Sequence, residues 1–142
     1  MLRYGITAGL MSAAFGLGLY AGGSVHVDAQ RSARVLEVRR YTAADGKLDA
    51  LVKRMREGET ALFEKHGMKG VFYSVAAEEP ASQNTYLYVL AHQSREAAKK
   101  SWDDFRNDPA WKSMRDQSEA NGALVGKVES TFVSPTDFSP LK

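Results

Sequence analysis

Residues 84–92, NTYLYVLAH, constrain the fold more than any other stretch of the chain. Side chains alternate between the two faces of a β-strand. As a strand, this segment places Leu87, Val89 and Ala91 on one face and Tyr86, Tyr88, Leu90 and His92 on the other. The first set is ordinary core. The second carries two phenols and an imidazole, and the surrounding elements must give it somewhere to go.

The flanking segments alternate between strand and helix patterns. Residues 35–41, VLEVRRY, read as a first strand, with Leu36 and Val38 toward the core and Glu37, Arg39 and Tyr41 opposite. A turn over 42–46 leads into a helix over 47–66, in which Leu48, Leu51, Val52, Met55, Leu62, Phe63 and His66 fall close to one stripe. Gly58 weakens its middle by about 1 kcal/mol relative to alanine. Gly67 stands where a C-cap glycine belongs, and His66 lies in the last turn, at the negative end of the helix dipole. Residues 68–77 read as a second strand and 78–83, EEPASQ, as a turn, so residues 84–92 close an antiparallel hairpin.

Ser94 is placed to cap a second helix, whose buried stripe runs through Ala97, Ala98, Ser101, Trp102 and Phe105. Asp108-Pro109 restarts the helix with an N-cap and a proline at the first helical position. Asn121-Gly122 stops it. Residues 125–133 form the last strand, with Val128, Ser130 and Phe132 on one face and Lys127, Glu129 and Thr131 on the other. A tail with Pro135 and Pro140 closes the chain.

The element order is β-α-β-β-α-β, the ferredoxin-like split unit of the α+β class. Helices should cover one face of a four-stranded antiparallel sheet. The expectation is that the uncovered face holds Glu37, Arg39, Tyr41, Tyr86, Tyr88, His92, Glu129 and Thr131. Such a face is too aromatic for water and too polar for a dry core. Two sheets facing each other in a homodimer would resolve both problems and enclose a polar cavity.

With 142 residues the chain amounts to one domain's worth. A net charge of +2 without a dense Lys/Arg run argues against nucleic acid as a partner. The absence of cysteine excludes disulfides, thiolate metal sites and a Cys nucleophile. Ahead of the globular part, Arg3 is followed by an uncharged run over 4–27 rich in Gly, Ala and Leu. Residues 1–29 therefore read as a secretory signal or, uncleaved, as an N-terminal membrane anchor, with 30–34 as a linker. Either way the domain over 35–134 is expected to be exported, and the membrane is met only through that segment.

Several blocks of this sequence resemble the NIPSNAP family. They are VLEVRRYTAADGKLDAL, LFEKHGM, SQNTYLYVLAHQSREAAKKSWDDFRNDPAW and VESTFVSPTDFSPL, in that order, spanning residues 35–141. The family is similar to the dimeric α/β-barrel superfamily, and the resemblance therefore implies facing sheets in a homodimer. That superfamily includes monooxygenases, haem-dependent enzymes and proteins without known activity. The resemblance carries no catalytic residues to this chain.

The chain contains no HExxH, phosphate loop, nucleophile elbow or tight group of metal ligands. No cofactor is signalled. The leading expectation is a small organic ligand held in a barrel. His92 is the candidate general base and Arg39 the candidate partner of an anionic or enolate-like group. Glu37, Tyr41, Tyr86, Tyr88 and Glu129 complete the candidate wall. Two other readings stand beside it. Haem binding, by analogy alone, would need His66 or His92 as axial ligand. A non-enzymatic interaction module at the cell envelope is favoured by the missing motifs, although the helix faces carrying Lys53, Arg54, Arg56, Lys99, Lys100, Asp103 and Asp104 read as solvated and offer no special patch. Trp102 and Trp111 read as packing residues.

Overall fold

The computed structural model describes residues 35–141. The expected export segment and linker lie outside the described residues. Strands β1 (Val35–Ala43), β2 (Lys69–Val75), β3 (Thr85–His92) and β4 (Val125–Val133) form one antiparallel sheet in the order β2-β3-β1-β4. This is the ferredoxin-like α+β arrangement. β1 and β3 are central and pair with Val38 opposite Val89 and Tyr41 opposite Tyr86. A bulge between Gly70 and Phe72 brings Tyr73 opposite Tyr88, and so onto the same face as Tyr88.

The first helical stretch runs α1 (Leu48–Arg54), a π-helical turn (Met55–Glu59), then α2 (Thr60–Lys65). A Cβ on Gly58, inside the π turn, would meet the end of the flexible Met114 side chain, which would have to shift. The wider turn lets Arg54 and Glu59, five residues apart, share the inner face with Leu51, Met55 and Phe63. The second stretch is α3 (Arg95–Asn107) and α4 (Pro109–Ser118). Ser94 Oγ accepts from the Ala97 N–H and the Asp108 carboxylate from the Ala110 N–H, as the capping pattern predicts. Gly67 closes α2 at φ +77°, a conformation that glycine adopts without strain. Among the described residues no helix is long and apolar enough to cross a membrane.

The helices lie on the face opposite to the one expected. The main core joins Tyr41, Tyr86, Tyr88 and Leu90 of the sheet to Leu51, Met55, Phe63, Trp102 and Phe105 of the helices. Leu36, Val38, Val89 and Ala91, expected beneath the helices, form a smaller cluster with Val71 on the open side. Two physical causes decide the matter. The tyrosines offer far more apolar area to the helix aromatics than the valines do. The polar groups beside them satisfy one another, which removes the objection to burying them.

Candidate functional site

Five of the seven expected site residues cluster beneath α3. Glu37 is their hub. Its Oε1 accepts from Arg39 Nη1 at 2.6 Å and from Ser130 Oγ at 2.7 Å. Its Oε2 accepts from Trp102 Nε1 at 2.7 Å and from His92 Nε2 at 2.9 Å. All four lone-pair sites of the carboxylate are thus used. The register explains the grouping: Glu37 faces Phe132 on β4, so Ser130 and Phe132 point to the same side, and α3 brings Trp102 over them.

Burial alone would raise the Glu37 pKa. The hydrogen bonds from His92, Ser130 and Trp102 and the charge of Arg39 outweigh it, and hold the pKa down to about 2. Desolvation also opposes the charge of Arg39, but Tyr41, Tyr88 and Glu37 push its pKa up, so it remains a cation. Its guanidinium carbon lies 4.1 Å from the Trp102 ring centroid, in cation–π contact. Tyr88 donates to the Tyr41 hydroxyl at 2.7 Å, and Arg39 Nη2 approaches that hydroxyl at 3.5 Å. Desolvation raises the pKa of both phenols.

A cavity of about 320 Å³ opens beside this cluster, between sheet and helices. Arg39, Tyr41 and Val128 form its sheet side, and Trp102, Phe105 and Trp111 its aromatic wall. The volume lies within the range of small-molecule pockets, about 300–1,000 Å³. The cavity is therefore inside one chain, and not between two sheets as expected. Of the expected residues only Arg39 and Tyr41 reach it. His92, with 1% of its side chain exposed, lies behind Glu37; its Nδ1 is buried without a partner. It holds the carboxylate in place and does not meet a cavity occupant. Tyr88 and Tyr86 back the floor, their rings 5.7 Å apart. Glu129 is on the open face of the sheet with Arg40 and Lys127, away from all the others.

The sequence reading missed a second buried acid in the cavity, Glu59. It is 1% exposed and accepts from Arg54 Nε at 2.8 Å. Arg54 also bonds Glu119 at 2.9 Å and lies 5.0 Å from the Trp111 ring. Arg54 was expected on a solvated face. It lies three residues after buried Leu51 in α1 and turns inward with it, and the π turn then brings Glu59 to the same face. The helix-interior Gly58 was the one signal for this, as a break in the 3.6-residue period. Desolvation outweighs Arg54 and pushes the Glu59 pKa up.

His66 Nε2 lies 2.7 Å from Asp108 Oδ2, which also receives Lys65 Nζ at 2.6 Å. These groups tie the end of α2 to the α3–α4 junction, and hydrogen bonds from Lys65, His66 and Ala110 lower the Asp108 pKa. Both described histidines thus have Nε2 committed to a carboxylate, and neither lines the cavity. The residues present do not fit axial ligation of haem. Among the described residues no group of three or more His, Asp or Glu is arranged to hold a metal ion.

Fold and site define a ferredoxin-like α+β domain with a polar-floored cavity beneath its helices. The NIPSNAP family model matches residues 36–140, and the chain belongs to that family. It is similar to a NIPSNAP family protein with unknown function from Agrobacterium tumefaciens, at 21% identity and TM-score 0.68, over 79% of this chain and 96% of that one. A NIPSNAP-like domain protein from Burkholderia xenovorans is similar at 14% identity and TM-score 0.66, over 77% and 90%. SnoaB, a cofactor-independent oxygenase from Streptomyces nogalater, shares the fold at 15% identity and TM-score 0.51, over 75% and 97%. No curated protein matches the chain.

Proposed function

We propose that this NIPSNAP-family chain binds a small organic ligand in the cavity between its sheet and helices, and converts it there. One observation carries the reading: the Arg39 guanidinium, held by Glu37 and stacked on Trp102, opens onto an aromatic-walled cavity of about 320 Å³. A guanidinium fixed in this way is a preorganised partner for a carbonyl or oxyanion. The fold shared with an oxygenase that needs no cofactor is compatible with chemistry in such a cavity.

Native mass spectrometry of the purified protein tests the proposal, because it reports a retained small molecule directly. The sequence contains two tryptophans, and both line the cavity, so their fluorescence reports occupancy. Val128 is half-exposed on an edge strand at the cavity rim. Val128→Trp should fill the space and abolish ligand retention while leaving the fold intact. Ligand retained by that variant would contradict the placement.

We propose a homodimer in which a second copy covers the open sheet face, supported by its apolar set of Leu36, Val38, Val71, Phe72 and Val89. The same mass measurement reads it. The export expectation for residues 1–29 is kept as a proposal, tested by cell fractionation. An interaction module is the second reading, favoured by an outer groove of about 680 Å³ between α1 and α4. That groove has no aromatic lining, which places it second.

A further inference from the structure

The cavity's charges say what kind of ligand it accepts. Every arginine in its lining already has an acid. Arg39 is paired with Glu37, Arg54 with Glu59 and Glu119, Arg106 with Asp103, and Arg115 with Asp116. The two buried guanidinia, Arg39 and Arg54, are already bonded to three carboxylates, and burying a further anion against matched pairs is unfavourable. A neutral ligand is the better fit.

The two sides of the cavity differ in what they leave unused. On the sheet side Tyr41 accepts from Tyr88 and Arg39, and its own proton has no acceptor among the described residues. That proton and the Arg39 guanidinium are donors available to an oxygen. On the helix side Glu59 Oε2 is held by Arg54, and no described group donates to Oε1. A carboxylate and two donors lining one aromatic-walled cavity are the groups that enolisation requires.

We propose that Glu59 is a general base that moves a proton from the α-carbon of a neutral ketone whose carbonyl oxygen lies on Arg39 and Tyr41. This rests on the ligand-binding reading above and names the substrate class. The step needs no redox partner. Glu59 takes the proton, the C–H electron pair becomes the C=C bond, and the carbonyl π pair moves to oxygen as an enolate. Arg39 and Tyr41 stabilise that charge as it develops. The proton then returns from Glu59 to carbon, or to a neighbouring position, so the chemistry is keto–enol exchange or double-bond isomerisation. The raised Glu59 pKa makes it a stronger base once ionised.

The test uses the full-length protein with 2-tetralone, 2-indanone and acetophenone as neutral ketones and 1-naphthoate as the anionic control. Tryptophan quenching reads binding, and NMR in D₂O reads exchange of the α-protons. At least one ketone should bind in preference to 1-naphthoate and exchange roughly 100-fold or more faster than in buffer. Glu59→Gln should keep the quenching and lose most of that acceleration. Tyr41→Phe should reduce it about 10-fold, which keeps the proposal testable if Glu59→Gln folds poorly. The wild-type rate should rise with pH through one ionisation that is missing in Glu59→Gln. Ketones that bind but exchange only at the buffer rate would overturn the proton-transfer role and leave the ligand reading standing. Preferential binding of 1-naphthoate would overturn the neutral-substrate inference. If neither ketones nor 1-naphthoate quench, the ligand reading itself fails.

Discussion

Two carboxylates are buried under the same helices, and they differ in every other respect. Glu37 has four donors and a pKa held down to about 2. Glu59 has one cation on one oxygen and a pKa pushed up. Burial is nearly equal, at 2% and 1% exposure. The number of donors therefore decides which acid is structural and which is available. Glu37 is fixed as an anion and positions Arg39. Glu59 keeps an oxygen for something else.

The largest effect should come from breaking the saturated acid. Glu37→Gln leaves Arg39 buried without its counter-ion, at a cost of about 3–5 kcal/mol. Urea unfolding reads it. A loss below about 1 kcal/mol would erase the distinction between the two acids. Glu59→Gln should cost less, no more than about 2 kcal/mol, because Arg54 keeps Glu119. The same unfolding series compares the pair directly.

The pH profiles should run in opposite directions. Glu37 has a lowered folded pKa, so its contribution is present above about 4.5 and is lost as pH falls toward about 2. Glu59 has a raised folded pKa, so its contribution is full below about 4.5 and is lost as pH rises through its folded value. Glu37→Gln should flatten the acid limb of the stability curve, and Glu59→Gln the limb above it. Thermal unfolding from pH 2 to 7 checks both signs.

The smallest effects belong to groups outside this comparison. Asp108→Ala removes the α4 N-cap and the tie to His66 and should cost about 1 kcal/mol, seen as a lower Tm. Glu129→Ala, on the open face, should leave protomer stability within about 0.5 kcal/mol and the tryptophan response to ligands unchanged. A changed tryptophan response would mean that Glu129 belongs to the cavity after all.

Much of this fold was legible because local rules act at single residues. Ser94, Asp108-Pro109 and Gly67 mark their helix ends as written, and the strand pairing follows the hairpin. Alternation correctly put Glu37, Arg39 and Tyr41 together, and Tyr86, Tyr88 and His92 together. It could not say which face the helices cover, because that depends on packing between elements distant in sequence. The valines read as the helix-covered core and the polar set as the uncovered face, yet the four donors around Glu37 come from three strands and a helix. Glu129 was misplaced because its strand had no register until it was paired with β1. The pairing of Arg54 with Glu59 was hidden by the π turn, since a 3.6-residue period does not bring residues five apart to one face.

The contrast between the two acids is tested most directly by ¹³C NMR titration of the glutamate carboxyl carbons, assigned with Glu37→Gln and Glu59→Gln. The account predicts one resonance with a midpoint near 2 that disappears in the first variant. It predicts another, titrating above the ordinary glutamate value, that disappears in the second. If Glu59 titrates at or below the ordinary glutamate value, it is a saturated structural acid like Glu37, and its assignment as the available base is wrong.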